Sequence, residues 1–72
     1  METFTIKGVE LRVGNKINIY SNTKALGVPK GYLTIKKFYK VNDRVHVEFK
    51  NSTNTSIVGP LEILEIIDFR KV

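Results

Sequence analysis

The segment Arg44 to Lys50, Arg-Val-His-Val-Glu-Phe-Lys, alternates polar and apolar residues without a break. Successive side chains of a β-strand point to opposite faces. Val45, Val47 and Phe49 therefore enter a core while Arg44, His46, Glu48 and Lys50 face water. A helix does not sort this pattern so cleanly, because its period is 3.6 residues rather than two. A chain built on such segments is constrained to a β architecture.

The same alternation recurs along the chain. Phe4 and Ile6 alternate with Thr3, Thr5 and Lys7, and Val9, Leu11 and Val13 alternate with Glu10 and Arg12. Gly8 divides the two runs, which fits either a hairpin turning at Lys7-Gly8 or one bulged strand. Gly14-Asn15 is a turn pair, and Lys16 to Tyr20 is a strand with Ile17 and Ile19 inward. Ser21 to Gly31 lacks periodicity and holds two glycines, one proline and two lysines, so it reads as a long loop between Tyr20 and Tyr32. Long loops in compact domains are often functional.

Leu33 and Ile35 resume the pattern, and Lys36-Lys37 then breaks its phase. A β-bulge there accounts for Phe38 and Val41 falling out of step. Val41 to Arg44 is a tight turn. Asn51 to Ser56, six small polar residues, reads as an exposed turn or hairpin tip. Thr55 to Gly59 is a further strand carrying Ile57, ended by Gly59-Pro60. Beyond it the apolar residues are too dense for pure alternation. A 3₁₀ turn over Pro60 to Ile63 followed by a strand from Leu64 to Phe69 is expected. The rival is a two-turn helix from Pro60 to Asp68, which the β-branched isoleucines disfavour.

Seventy-two residues make one domain, residues 1–72. A domain of this size buries roughly 60% of its unfolded surface, which leaves little room for a deep cavity. There is no cysteine, so neither a disulfide nor a thiolate metal site braces the fold. No apolar run reaches the roughly 20 residues of a membrane span. The first residues lack the basic-then-apolar order of a signal peptide. A cytoplasmic location is expected.

The expected class is all-β: five or six short antiparallel strands, with one 3₁₀ turn before the last, closed into a small barrel that removes exposed strand edges. The layout resembles the SH3-like small barrels. The phrase Ile57 to Asp68 is similar to the strand, helical turn and final strand that close them, and Val13-Gly14-Asn15-Lys16-Ile17 to their usual opening. Over residues 17–49 the chain loosely resembles a KOW module, whose members contact RNA or protein. Glu10 to Asn15 is similar to the start of small uncharacterised proteins of phages and mobile elements. The peptide-binding signature of SH3 domains is missing, since there is no tryptophan and no acidic loop.

The net charge of +5 is unevenly placed: residues 1–50 carry ten basic and four acidic side chains, residues 51–72 two and three. Such a field favours polyanions. Lys24, Lys30, Lys36, Lys37 and Lys40 interleave with Tyr20, Tyr32 and Tyr39, which pairs phosphate-neutralising groups with rings able to stack on bases. The competing reading is that the aromatics cap the barrel and the lysines solvate it. Arginine, the usual base-reading residue, is scarce, so weak sequence preference is expected.

No catalytic set stands out. His46, the one histidine, shares its strand face with Glu48, but acid–base chemistry needs a reacting group and a pocket besides. One histidine and scattered acids give no metal-ligand spacing, and Gly27 to Gly31 lacks the ending of a phosphate loop. The expectation is a binding module rather than an enzyme, with no cofactor and no metal. Its partner is expected to be nucleic acid or an acidic protein surface, not a membrane, and the chain a monomer or weak homo-oligomer. The alternative function is a phage- or mobile-element-type module that binds a host protein.

Overall fold

A computed structural model describes residues 2–20 and 28–72. The chain is all-β, and its described residues form seven strands: β1 (Thr3–Ile6), β2 (Val9–Arg12), β3 (Lys16–Ile19), β4 (Gly31–Val41), β5 (Arg44–Lys50), β6 (Ser56–Pro60) and β7 (Phe69–Lys71). A 3₁₀ turn over Leu61–Glu65 precedes β7. β1 and β2 form a two-stranded sheet, and the other five pair in the order β6-β5-β4-β3-β7, all antiparallel. The count exceeds the expected five or six because the opening is a hairpin, which contributes two strands. Among the described residues no helix is long and apolar enough to cross a membrane.

Short-range chemistry makes the turns. Lys7 and Gly8 have φ of 51° and 77°, and Asn42 and Asp43 have φ of 49° and 67°. Two consecutive left-handed residues match the right-handed twist of the flanking strands, as two-residue hairpins require. The polar turn after β5 is organised by Asn51. Its Oδ1 accepts from Thr53 N at 3.0 Å, Thr53 Oγ1 at 2.8 Å and Thr55 N at 2.9 Å.

The bulge falls in β4. Ile35 faces Phe49 and Lys37 faces Glu48, so Lys36 is the extra residue. Just before it, β4 is clamped by the β2–β3 turn: Gly14 N donates to the Ile35 carbonyl at 2.8 Å, and Ile35 N to the Asn15 carbonyl at 2.9 Å. The added residue restores inward phase to Phe38, whose ring meets Phe4 of β1 at 4.7 Å. The hairpin thereby joins the core, where Ile6 and Leu11 pack with Ile17, Ile19, Leu33, Ile35, Val47, Phe49 and Phe69.

The C-terminal segment corrects the expected strand from Leu64 to Phe69. Leu61, Leu64 and Ile67 are buried at 6%, 0% and 1% exposure, whereas Ile66 is 70% exposed. A spacing of three is the period of a 3₁₀ turn, which sets its side chains one above another. Only Phe69–Lys71 then pairs, with β3. β6 and β7 end the five-stranded sheet on opposite sides and share no ladder, so hydrogen bonds do not close the sheet into a ring.

Two lysines tie the N-terminal hairpin to the far end of the chain. Lys7 Nζ donates to the Ile67 carbonyl at 2.6 Å and lies 5.8 Å from the centre of the Phe69 ring. Lys71 Nζ donates to the Glu10 carbonyl at 2.9 Å. Replacing Lys7 with Met keeps an apolar stem and removes the donor, so K7M is expected to lower stability by about 1 kcal/mol in urea unfolding. Asp43→Gly acts in the other direction. Glycine adopts the left-handed region without steric cost, and the Asn-Gly pair suits this turn type. A gain of about 0.5 kcal/mol is expected in the same measurement.

Candidate nucleic-acid interface

Strand alternation divides the five-stranded sheet into an inner and an outer face. Ile17 and Ile19 of β3, Leu33 and Ile35 of β4, and Val47 and Phe49 of β5 are buried. Their neighbours stand on the opposite side. Cross-strand register arranges these outer residues in rows. Arg70, Asn18 and Tyr32 form one row across β7, β3 and β4. Lys16, Thr34, Lys50 and Ser56 form the next, across β3 to β6. Lys37, Glu48 and Val58 follow, and then Tyr39, His46 and Pro60. Lys16 and Lys50 flank Thr34, about 10 Å apart at the usual strand spacing. Lys36 and Lys37 lie between the inward Ile35 and Phe38 and are both exposed, so the bulge puts two lysines on this side in succession.

These rows and the bulge carry five cations, Lys16, Lys36, Lys37, Lys50 and Arg70, against one carboxylate, Glu48; Arg44, next on the same side of β5, is paired with Glu62. Each tyrosine of the chain has a cation over its ring. Lys16 Nζ lies 5.0 Å from the centre of Tyr32, Lys37 Nζ 5.3 Å from Tyr39, and the Arg70 guanidinium carbon 5.8 Å from Tyr20. These distances are within range of cation–π attraction. Tyr20 and Tyr32 remain 51% and 54% exposed. The His46 ring lies 5.6 Å from that of Tyr39 at 34°, and its Nδ1 is 3.2 Å from the Arg44 carbonyl oxygen. Glu48 accepts a hydrogen bond from Ser56 Oγ at 2.8 Å and approaches Lys37 at 3.8 Å.

Of the eight residues singled out from the sequence, Tyr20, Tyr32, Lys36, Lys37 and Tyr39 meet on this face. Lys40 alternates with Tyr39 and lies opposite Val45, so it belongs to the other side of β4. Lys30 is exposed just before β4 begins. Lys24, with most of the expected loop, lies outside the described residues. Lys16, Lys50 and Arg70 were absent from that set, and they complete the face. Alternation beside Ile17 and Phe49 marks Lys16 and Lys50 as outward. Only the strand order makes them neighbours of the tyrosines.

A surface depression of about 330 Å³ lies elsewhere. It is lined by Ile6, Asp43, Arg44, Val45, Leu61, Glu62 and Glu65, with Arg44 paired to Glu62. It shares no residue with the four rows above. The chain matches no known protein family, no curated protein and no solved structure.

The face predicts its own electrostatic response. Glu48→Gln preserves an acceptor for Ser56 and removes the one negative charge among these rows. E48Q is expected to elute from a heparin column at higher salt than the parent, by more than the spread between repeat runs.

Proposed function

We propose that this protein is a small basic binding module that takes nucleic acid on the outer face of its five-stranded sheet. The observation that carries the reading is the coincidence of five cations and all three tyrosines on one face, each ring covered by a cation. Lysines neutralise phosphates as point charges, and release of the condensed counterions drives association. Exposed rings add contacts that a purely charged surface lacks. Arg70 is the one arginine in these rows, and Arg44 beyond them is held by Glu62, so base-edge reading is limited and the affinity varies little with sequence.

The strand order supports an SH3-like reading of the scaffold: the last strand pairs with β3 after a 3₁₀ turn, and an eleven-residue connection separates β3 from β4. A cysteine-free chain acting on nucleic acid suits a reducing, cytoplasmic setting. The lysines and the rings bind and position; no proton transfer or bond cleavage is assigned to them.

The test is a fluorescence-anisotropy titration of labelled DNA and RNA, single- and double-stranded, at low and physiological salt. Binding is expected at low salt and is expected to weaken on salt addition, with a log–log slope of about −2 to −4 for three to five phosphates. Combined replacement of Lys16, Lys37 and Lys50 by Gln is expected to weaken binding at least ten-fold with the fold intact by circular dichroism. If no nucleic acid binds at low salt while an acidic protein is retained from nuclease-treated lysate, the surface serves protein recognition instead.

A further inference from the structure

We infer that the ligand of this face is single-stranded nucleic acid. Unpaired bases sit on Tyr20, Tyr32 and Tyr39, and the cations now covering those rings move to the adjoining phosphates. The inference rests on the nucleic-acid reading above and names its substrate class.

Three observations carry it. First, the rings present their faces: each has a cation over it at 5.0–5.8 Å, and Tyr39 also has the His46 ring beside it at 5.6 Å. In a duplex the base faces are already occupied by stacking, and only base edges reach the grooves. Free base faces are available on single strands, where aromatic stacking is the usual source of affinity. Second, the rings are spread out. Tyr32 and Tyr39 are seven residues apart on β4 with one residue spent in the bulge, about 20 Å along the strand. Tyr20 lies past the other end of the Arg70, Asn18 and Tyr32 row, beneath Arg70. An extended strand of a few nucleotides spans such a set. Third, the outer-face residues described all belong to the sheet strands or extend them, as Tyr20 extends β3. Major-groove reading uses a helix or a two-stranded ribbon that enters the groove.

The exchange is favourable on general grounds. An exposed cation–π contact is weaker than the stacking of a base on an aromatic ring. The displaced ammonium is not wasted, because the phosphate beside the stacked base is a better partner for it than the ring. In the free protein the same cations cover apolar ring surface.

The chain supplies its own reporter. It has three tyrosines and no tryptophan, and all three tyrosines lie on this face, so its intrinsic emission reports on the site. The parent protein and the variants Tyr32→Leu, Tyr39→Leu and Tyr39→Phe are titrated with a ten-nucleotide oligothymidine, a ten-base-pair duplex and heparin. Oligothymidine is expected to quench tyrosine emission and to bind about ten-fold tighter than the duplex. Y32L and Y39L are each expected to lose about ten-fold for oligothymidine, whereas Y39F retains it. Heparin binding by the same variants is expected to be unchanged, which also shows that they are folded. Equal or tighter binding of the duplex, quenching by heparin as strong as by oligothymidine, or Leu variants with parental affinity would each overturn the inference. If the triple lysine variant still loses binding in those cases, the basic face stands without base stacking. If no nucleic acid binds at all, both readings fall.

Discussion

The extra residue in β4 is the constraint on which the rest of the molecule turns. An uninterrupted strand of eleven residues would keep a single phase, and Phe38 would then fall on the same side as Lys36. Inserting Lys36 shifts the register between Ile35 and Lys37, so that Leu33, Ile35 and Phe38 all face inward. The inward Phe38 gives the N-terminal hairpin a place to dock, through Phe4. The same shift puts Lys36 and Lys37 together on the outside. Core and candidate interface are thus set by one backbone irregularity, and bulges commonly re-aim side chains in this way.

Around that strand the fold relies on small polar devices rather than a large core. The β2–β3 turn clamps Ile35, Asn51 gathers three donors on one oxygen, and two lysine ammonium groups bind carbonyls at the opposite end of the chain. A small domain has proportionally more surface to stabilise than a large one. Without disulfides, such contacts hold the hairpin and the 3₁₀ segment in place. Cation-covered tyrosines on the outer face serve the free protein in a similar way, since they shield apolar ring surface from water.

Much of this architecture was legible from residue order alone. Strict alternation located β5 and its inward residues, and the phase break at Lys36-Lys37 located the bulge. The turn at Val41 to Arg44 and the polar turn after β5 were also visible, because Asn, Asp and Ser carry their own turn chemistry. The opening stayed open between hairpin and bulged strand. The Lys7 ammonium bonds a carbonyl sixty positions away, and no local pattern reports that tie. After Pro60 the expected 3₁₀ turn is present but runs on to Glu65, and the strand expected from Leu64 is confined to Phe69–Lys71, because the isoleucines suggest an earlier strand start. The spacing of Leu61, Leu64 and Ile67 by three was the better clue. The candidate site was half visible for a related reason. A contiguous stretch from Tyr20 to Lys40 was read as the surface, whereas Lys16, Lys50 and Arg70 arrive from neighbouring strands. Which strands are neighbours is a property of the sheet, not of any window of sequence.

The ties between the two ends have a consequence for how the protein is made. Lys7 must find Ile67, Lys71 must find Glu10, and β7 must pair with β3. During synthesis, β4, β5 and β6 can begin to pair as soon as they leave the ribosome, since their partners are adjacent in the chain. The hairpin, and β3 with β4, can likewise pair early, but the β3–β7 ladder and the hairpin's ties to the C-terminal segment must wait for residue 71. The molecule therefore completes its fold only after that residue has emerged, and until then one edge of β3 stands without its partner strand.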